Sequence, residues 1–136
     1  MLAAGRVAAV MVAAALVCGT AAAHHSFATF DLSREVVVVG QVKQFQWSNP
    51  HTWIQLLVRD ERGQVAEWSI ETQSVNVLSK LGWTHDTLKV GDRVTVTLNP
   101  SRNESSKGNL VSITLPGGKT LRLRRAEAAG SAAASP

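Results

Sequence analysis

"EVVVVGQVKQFQW", residues 35–47, decides the fold. Four consecutive valines and a later Phe and Trp make it a strand, because β-branched and aromatic side chains suit a pleated, half-buried surface. Its apolar parity changes partway. Val38 and Val42 share one face, whereas Phe45 and Trp47 fall on the other, with Gly40 between the two halves. A glycine at a parity switch marks a bulge or bend. A strand this long and bent can serve two sides of one small closed sheet.

Working outward, residues 51–58 (HTWIQLLV) alternate. Ile54, Leu56 and Val58 share the buried face, and His51, Trp53, Gln55 and Leu57 the other. Asp60-Glu61-Arg62-Gly63 is a turn, so a hairpin leads into 64–71 (QVAEWSIE), with Ala66, Trp68 and Ile70 together. The period then becomes helical: Ser74 is an N-cap, Val75, Leu78 and Leu81 repeat along one face, and Gly82 is a C-cap with Trp83 folding back. Residues 88–92 turn into RVTVTLNP, where Val94, Val96 and Leu98 point inward. Residues 101–109 (SRNESSKGN) read as a polar loop. Val111, Ile113 and Leu115 form the next strand, and KTLRLR, after Gly117-Gly118, a short last one. Basic residues there discourage edge-to-edge aggregation.

This order predicts an all-β domain with one short helix, a small, partly open Greek-key barrel of the oligonucleotide/oligosaccharide-binding (OB) type. A β-sandwich is the alternative. It is less suited because the helix stands where such a barrel places its plug.

The chain has 136 residues, enough for one small domain. Residues 1–23 read as a signal peptide: Arg6, an apolar run from Val7 to Val17, and Ala21-Ala22-Ala23 as a small-x-small cleavage site. The run is too short for a spanning helix of ~20 residues, so no membrane span is expected after processing. The only cysteine, Cys18, leaves with the leader, so disulfides and thiolate metal sites are excluded from the mature chain. The barrel is expected over 24–125 and a disordered tail over 126–136, in the periplasm or outside a bacterial cell. Net charge is +4, from 14 Lys+Arg and 10 Asp+Glu. That excess, in an exported protein, argues against a nucleic-acid partner.

The sequence also resembles a family of small exported bacterial proteins classed as a domain of unknown function. The matching residues are A-H-H-S-F at 23–27, F-D at 30–31, V-x-x-F-x-W-S-N-P-H at 42–51, W-S-I-E at 68–71, L-x-x-x-G-W at 78–83 and L-x-x-G-D-x-V at 88–94. The resemblance implies an exported, barrel-like domain over residues 23–115 and implies no activity.

Three histidines are candidate metal ligands. Cleavage after Ala23 makes His24 the new terminus, whose amine and imidazole chelate one metal; a further imidazole completes a T-shaped N3 set suited to Cu(II). Cleavage after Ala22 instead makes His25 the third residue, an arrangement that binds Cu(II) through deprotonated amides. The competing reading of His24 and His25 is a frayed terminus. His51 stands in "WSNPHTW", where Asn49-Pro50 makes a short stiff loop between the first two strands. Trp47, Asn49, Trp53 and Gln55 are the candidate ligand face around it, against the competing reading that the tryptophans fill the core. His85 beside Asp86 reads as a turn residue. Glu67 and Glu71 are paired carboxylates on a strand face with no third group beside them. There is no G-x-S-x-G, H-E-x-x-H, phosphate loop or thiol nucleophile, so no catalytic residue is assigned.

These readings point to an exported binding module for a metal (copper first), a small molecule or another exported protein. A copper-dependent redox enzyme built on His24 is the alternative. Nucleic-acid or oligosaccharide binding by an OB-like face stands third.

Overall fold

A computed structural model describes residues 29–123, which hold a single six-stranded sheet and one short helix: β1 (Val36–Gln46), β2 (Trp53–Arg59), β3 (Val65–Glu71), α1 (Val75–Lys80), β4 (Arg93–Pro100), β5 (Lys107–Thr114) and β6 (Thr120–Arg122). The proposed leader, His24, His25 and the tail over 126–136 lie outside the described residues. Among the described residues, no helix is long and apolar enough to cross a membrane.

β1 works on both sides of the barrel. Residues 36–41 pair antiparallel with β4, from Val36↔Leu98 to Gln41↔Arg93, and residues 40–46 pair with β2, from Gly40↔Val58 to Gln46↔Trp53. Gly40 is the point of transfer, meeting Val58 on one side and Val94 on the other. A Cβ there would lie 2.8 Å from the Leu57 carbonyl oxygen. The parity switch itself comes three residues later. The register with β2 slips between Val42 and Gln44, making Lys43 the extra residue of a bulge. Val42 is therefore buried, and Phe45 turns inward after it.

β2 and β3 form the expected hairpin, in register from Trp53↔Glu71 to Arg59↔Val65. Its turn is closed by the Asp60 carboxylate, which accepts from the Arg62 and Gln64 amides, and by Gly63 at φ 80°. Closure of the barrel is non-local. β3 pairs parallel with β5 through Ser69↔Lys107, Ile70↔Gly108 and Glu71↔Asn109. The ring runs β1-β2-β3-β5-β4 and back to β1, with β6 added outside on β5. Helix α1 lies between β3 and β4. This is the OB arrangement, as a closed mixed barrel.

Two details differ from the sequence reading. The segment 101–109 is not all loop, because β5 begins at Lys107. Gly108 permits this: a Cβ would fall 2.5 Å from Leu98 Cδ1. The inward residues of β5 are Leu110 and Ile113, while Val111 is the extra residue where the register with β4 slips. A second bulge breaks the even alternation that Val111, Ile113 and Leu115 suggest.

The core takes Val42, Ile54, Leu56, Ile70, Val94, Val96, Leu98, Leu110 and Ile113 from the strands and Leu78, Trp83 and Leu88 from the helical connection. Each such aliphatic side chain contributes roughly 1.5–3 kcal/mol by leaving water. α1 has only six residues and is held by packing and caps. Ser74 Oγ accepts from the Val77 amide at 3.4 Å. At the other end Gly82, at φ 88°, lets its own N–H reach Ser79 O and the Trp83 N–H reach Leu78 O at 3.0 Å. Trp83 then packs against Phe45, ring centroids 6.3 Å apart and planes tilted by 43°, and is fully buried.

Replacing Gly40 by Ala presses a methyl group onto the β2 backbone. The variant is expected to lose about 1–3 kcal/mol in urea unfolding, the usual cost of overpacking. Gly117→Ala has open space and is expected to stay within about 0.5 kcal/mol of the parent.

Candidate functional site

The β1–β2 loop positions the candidate residues, and the chain holds it tightly. Ser48 Oγ donates to the His51 carbonyl at 3.0 Å, and Thr52 Oγ1 to the Ser48 carbonyl at 3.4 Å. Thr52 is fully buried and clamps the end of β3: its N–H reaches Gln73 O, and its carbonyl accepts from Thr72 N–H. The Asn49-Pro50 bond is cis. Asn49 is exposed, and its Oδ1 accepts from the Val75 N–H at 3.1 Å. A loop residue 26 positions away thus satisfies one of the helix's orphan amides.

His51 leaves this loop beside β3. Its Nδ1 lies 3.1 Å from the Thr72 carbonyl oxygen and 3.1 Å from Glu71 Oε1. A carbonyl can only accept, so Nδ1 must carry the proton and donate. The neutral ring then has an unprotonated Nε2, which has no partner among the described residues. The His51 side chain is 38% exposed, that of Glu71 only 12%. An imidazole whose inner nitrogen donates to a carboxylate and a carbonyl has the orientation used by metal-ligating and proton-accepting histidines. Among the described residues, no group of three or more His, Cys, Asp or Glu could hold a metal ion. Within residues 29–123, His51 and Glu71 thus stand as a pair with no third such group beside them.

The other candidates separate. Trp53 and Gln55 lie on the outer side of β2, opposite Ile54 and Leu56, and both are half-buried. Trp53 has Lys107 Nζ 5.9 Å from its ring centroid, and Gln55 Nε2 donates to Ser69 Oγ at 3.2 Å. Trp47 instead packs against the core, its ring 5.7 Å from Phe45. Glu67 and Glu71 are engaged with different partners: Glu67 pairs with Lys43 at 2.6 Å and Glu71 turns to His51. Glu71 is buried, not an exposed strand residue, because it lies under the β1–β2 loop. His85 and Asp86 pair with each other at 3.0 Å on an exposed turn.

Glu71 is the site residue that sequence reasoning overlooked as a partner of His51. The signal was present in the hairpin register: counting back from the Asp60–Gly63 turn sets Trp53 opposite Glu71, and His51 is two residues before Trp53. Lys107 and Asn109 were hidden by the polar character of 101–109. Only the parallel β3–β5 pairing brings them to this face.

Asn49→Ala removes the remote helix cap and is expected to cost about 1 kcal/mol in urea unfolding, whereas Asn49→Asp retains the acceptor and most of the stability.

The chain is similar to crystal structures of the mitochondrial single-stranded DNA binding protein Rim1 from S. cerevisiae. One matches with a TM-score of 0.45 and 16% identity over 61% of this chain and 94% of that one. A selenomethionine-labelled form matches at 0.44 and 13%, over 60% and 92%. No curated protein matches significantly. A family model does match, across residues 11–110. With most of its length covered, including the whole stretch from β1 to β4, the chain belongs to the family of unknown function DUF6152.

Proposed function

We propose that this protein is an exported, non-catalytic binding module that holds copper, or a divalent metal of similar ligand preference, through its mature amino terminus, with His51 as a further nitrogen donor. The observation that carries the reading is the His51 ring, with Nδ1 committed to Glu71 and Thr72 and Nε2 without a partner among the described residues. Nitrogen-rich sites suit Cu(II), and a donor oriented in advance loses less freedom on binding.

His24 and His25 lie outside the described residues, and the sequence motif alone argues for them. Two features support bringing them to His51. The Thr29 carbonyl accepts from the Arg102 N–H in the β4–β5 loop, whereas His51 stands in the β1–β2 loop. In barrels of this topology those two loops flank one binding face. The leader sequence supports export to the periplasm or beyond.

The test starts with N-terminal sequencing of the secreted protein, which fixes the cleavage site. The processed form is then titrated with Cu(II) and followed by EPR. Nitrogen hyperfine structure is expected. His51→Ala and Glu71→Gln are each expected to weaken binding by about tenfold or more, the second by releasing the ring it orients. Unchanged affinity after one residue is added before the native terminus overturns the reading. Turnover of ascorbate or hydrogen peroxide by the copper-loaded protein replaces it with the redox-enzyme alternative.

A further inference from the structure

The outer wall of β1, β2, β3 and β5 carries a second arrangement, independent of the histidines. Strand register draws two rows across it. Gln46, Trp53, Glu71 and Asn109 are successive partners, and Gln44, Gln55, Ser69 and Lys107 are the next row. Their strand neighbours Ile54 and Ile70 are fully buried and Phe45 packs on the core, so both rows face away from the core, with Glu71 alone among them buried. Four of the eight side chains are carboxamides, grouped around an indole.

Charge decides what such a wall can take. Lys43 is bonded to Glu67 at 2.6 Å, Lys107 to Glu104 at 2.9 Å, and Glu71 faces His51. Both lysines are thus paired with carboxylates, and the Glu71 carboxylate takes a hydrogen bond from a neutral ring. A phosphate backbone is held by cations whose counterions it can displace, and here the two lysines already have carboxylate partners. The carboxamides have no such commitment. Gln44 and Gln46 are exposed and make no hydrogen bond among the described residues; only Gln55 has one of its donors engaged, with Ser69. Each amide offers a donor pair and an acceptor, the complement of vicinal hydroxyl groups. The indole offers a flat face of negative quadrupole to C–H bonds. Beyond Asn109 the row ends in a cleft of about 200 Å³, where Gln73 and Asn99 add two further amides and Glu35 a carboxylate. Asn99 is itself nearly buried and fixed by a bond from Nδ2 to the Arg34 carbonyl.

We infer that this wall binds a neutral oligosaccharide, lying across Trp53 and the glutamine rows with one end toward the cleft. The ligand class follows from the pairing of both lysines on the wall, which leaves no free cation there for a phosphate, together with the density of amides beside an aromatic ring. Its recognition does not depend on a metal.

The test is a titration of the mature chain, followed by its backbone amide, side-chain amide and indole NMR signals. The probes are cellohexaose, maltohexaose and chitohexaose, with an oligo-dT strand in parallel, at low and at physiological salt. At least one hexasaccharide is expected to shift the Trp53 indole and the Gln44, Gln46 and Gln55 side-chain signals, with an affinity that salt leaves unchanged. Gln44→Ala and Gln46→Ala, at exposed sites that leave the fold intact, are each expected to weaken binding about fivefold, the effect of losing one or two neutral hydrogen bonds. Trp53→Ala is expected to weaken it more. Extension of the amino terminus is expected to leave it unchanged, which separates this inference from the copper reading. No shift with any of the three sugars overturns the inference. So does salt-sensitive binding of oligo-dT across the same signals, which would make the wall a nucleic-acid face instead.

Discussion

The transfer of β1 from one neighbour to another at Gly40 is the constraint from which the rest of the architecture follows. One strand must pair with β4 through its first half and with β2 through its second, so it has to bend where the two neighbours approach it together. A side chain at that point would meet the Leu57 carbonyl, and only hydrogen fits. Once β1 has bent, β2 and β4 leave on opposite sides of it, and the sheet curls until β3 meets β5. The bulge at Lys43 then resets the pleat, so that Val42 and Phe45 both serve the same interior.

Closure has consequences at a distance. The end of β3 is pinned by β5 on one side and by the backbone of Thr52 on the other. Glu71 sits at that pinned end and faces His51, whose backbone is held by Ser48. The loop is fixed to α1 as well, through Asn49 and the Val75 amide. Strand pairing, helix capping and imidazole orientation are thus coupled through six residues of loop. The same closure aligns the outer rows from β1 to β5, since register around a closed ring cannot slip by one residue without turning the core outward. Among the described residues one buried side-chain polar atom lacks a partner, the Trp83 indole N–H, a cost of about 1–3 kcal/mol carried by the packing around it.

Local chemistry made much of this legible in the sequence. The β2–β3 hairpin follows from alternation and an Asp–Gly turn, and α1 from Ser74, its helical spacing and Gly82. The bend of β1 was visible because a parity change leaves a trace in the order of apolar residues. What escaped detection depends on contacts between distant segments. Nothing near Lys107 announces a strand, because its partner, Ser69, lies far back in the chain. The bulge at Val111 is imposed by the fit of β5 to β4. Among the candidate ligands, His51, Trp53 and Gln55 stand on the predicted outward face, but Trp47 follows the reset pleat into the core side. The role of Glu71 was obscured by reading it with Glu67 along one strand, although its partner lies across the hairpin.

The orientation of His51 links the fold to the proposed chemistry, and its tautomer can be observed directly. Long-range ¹H–¹⁵N correlation spectra of the metal-free protein, recorded where the imidazole is neutral, distinguish the two ring nitrogens. A proton on Nδ1 with a bare Nε2 is expected, because the Thr72 carbonyl and the Glu71 carboxylate both demand a donor at Nδ1. A ring protonated on Nε2, or one exchanging freely between tautomers, would contradict it.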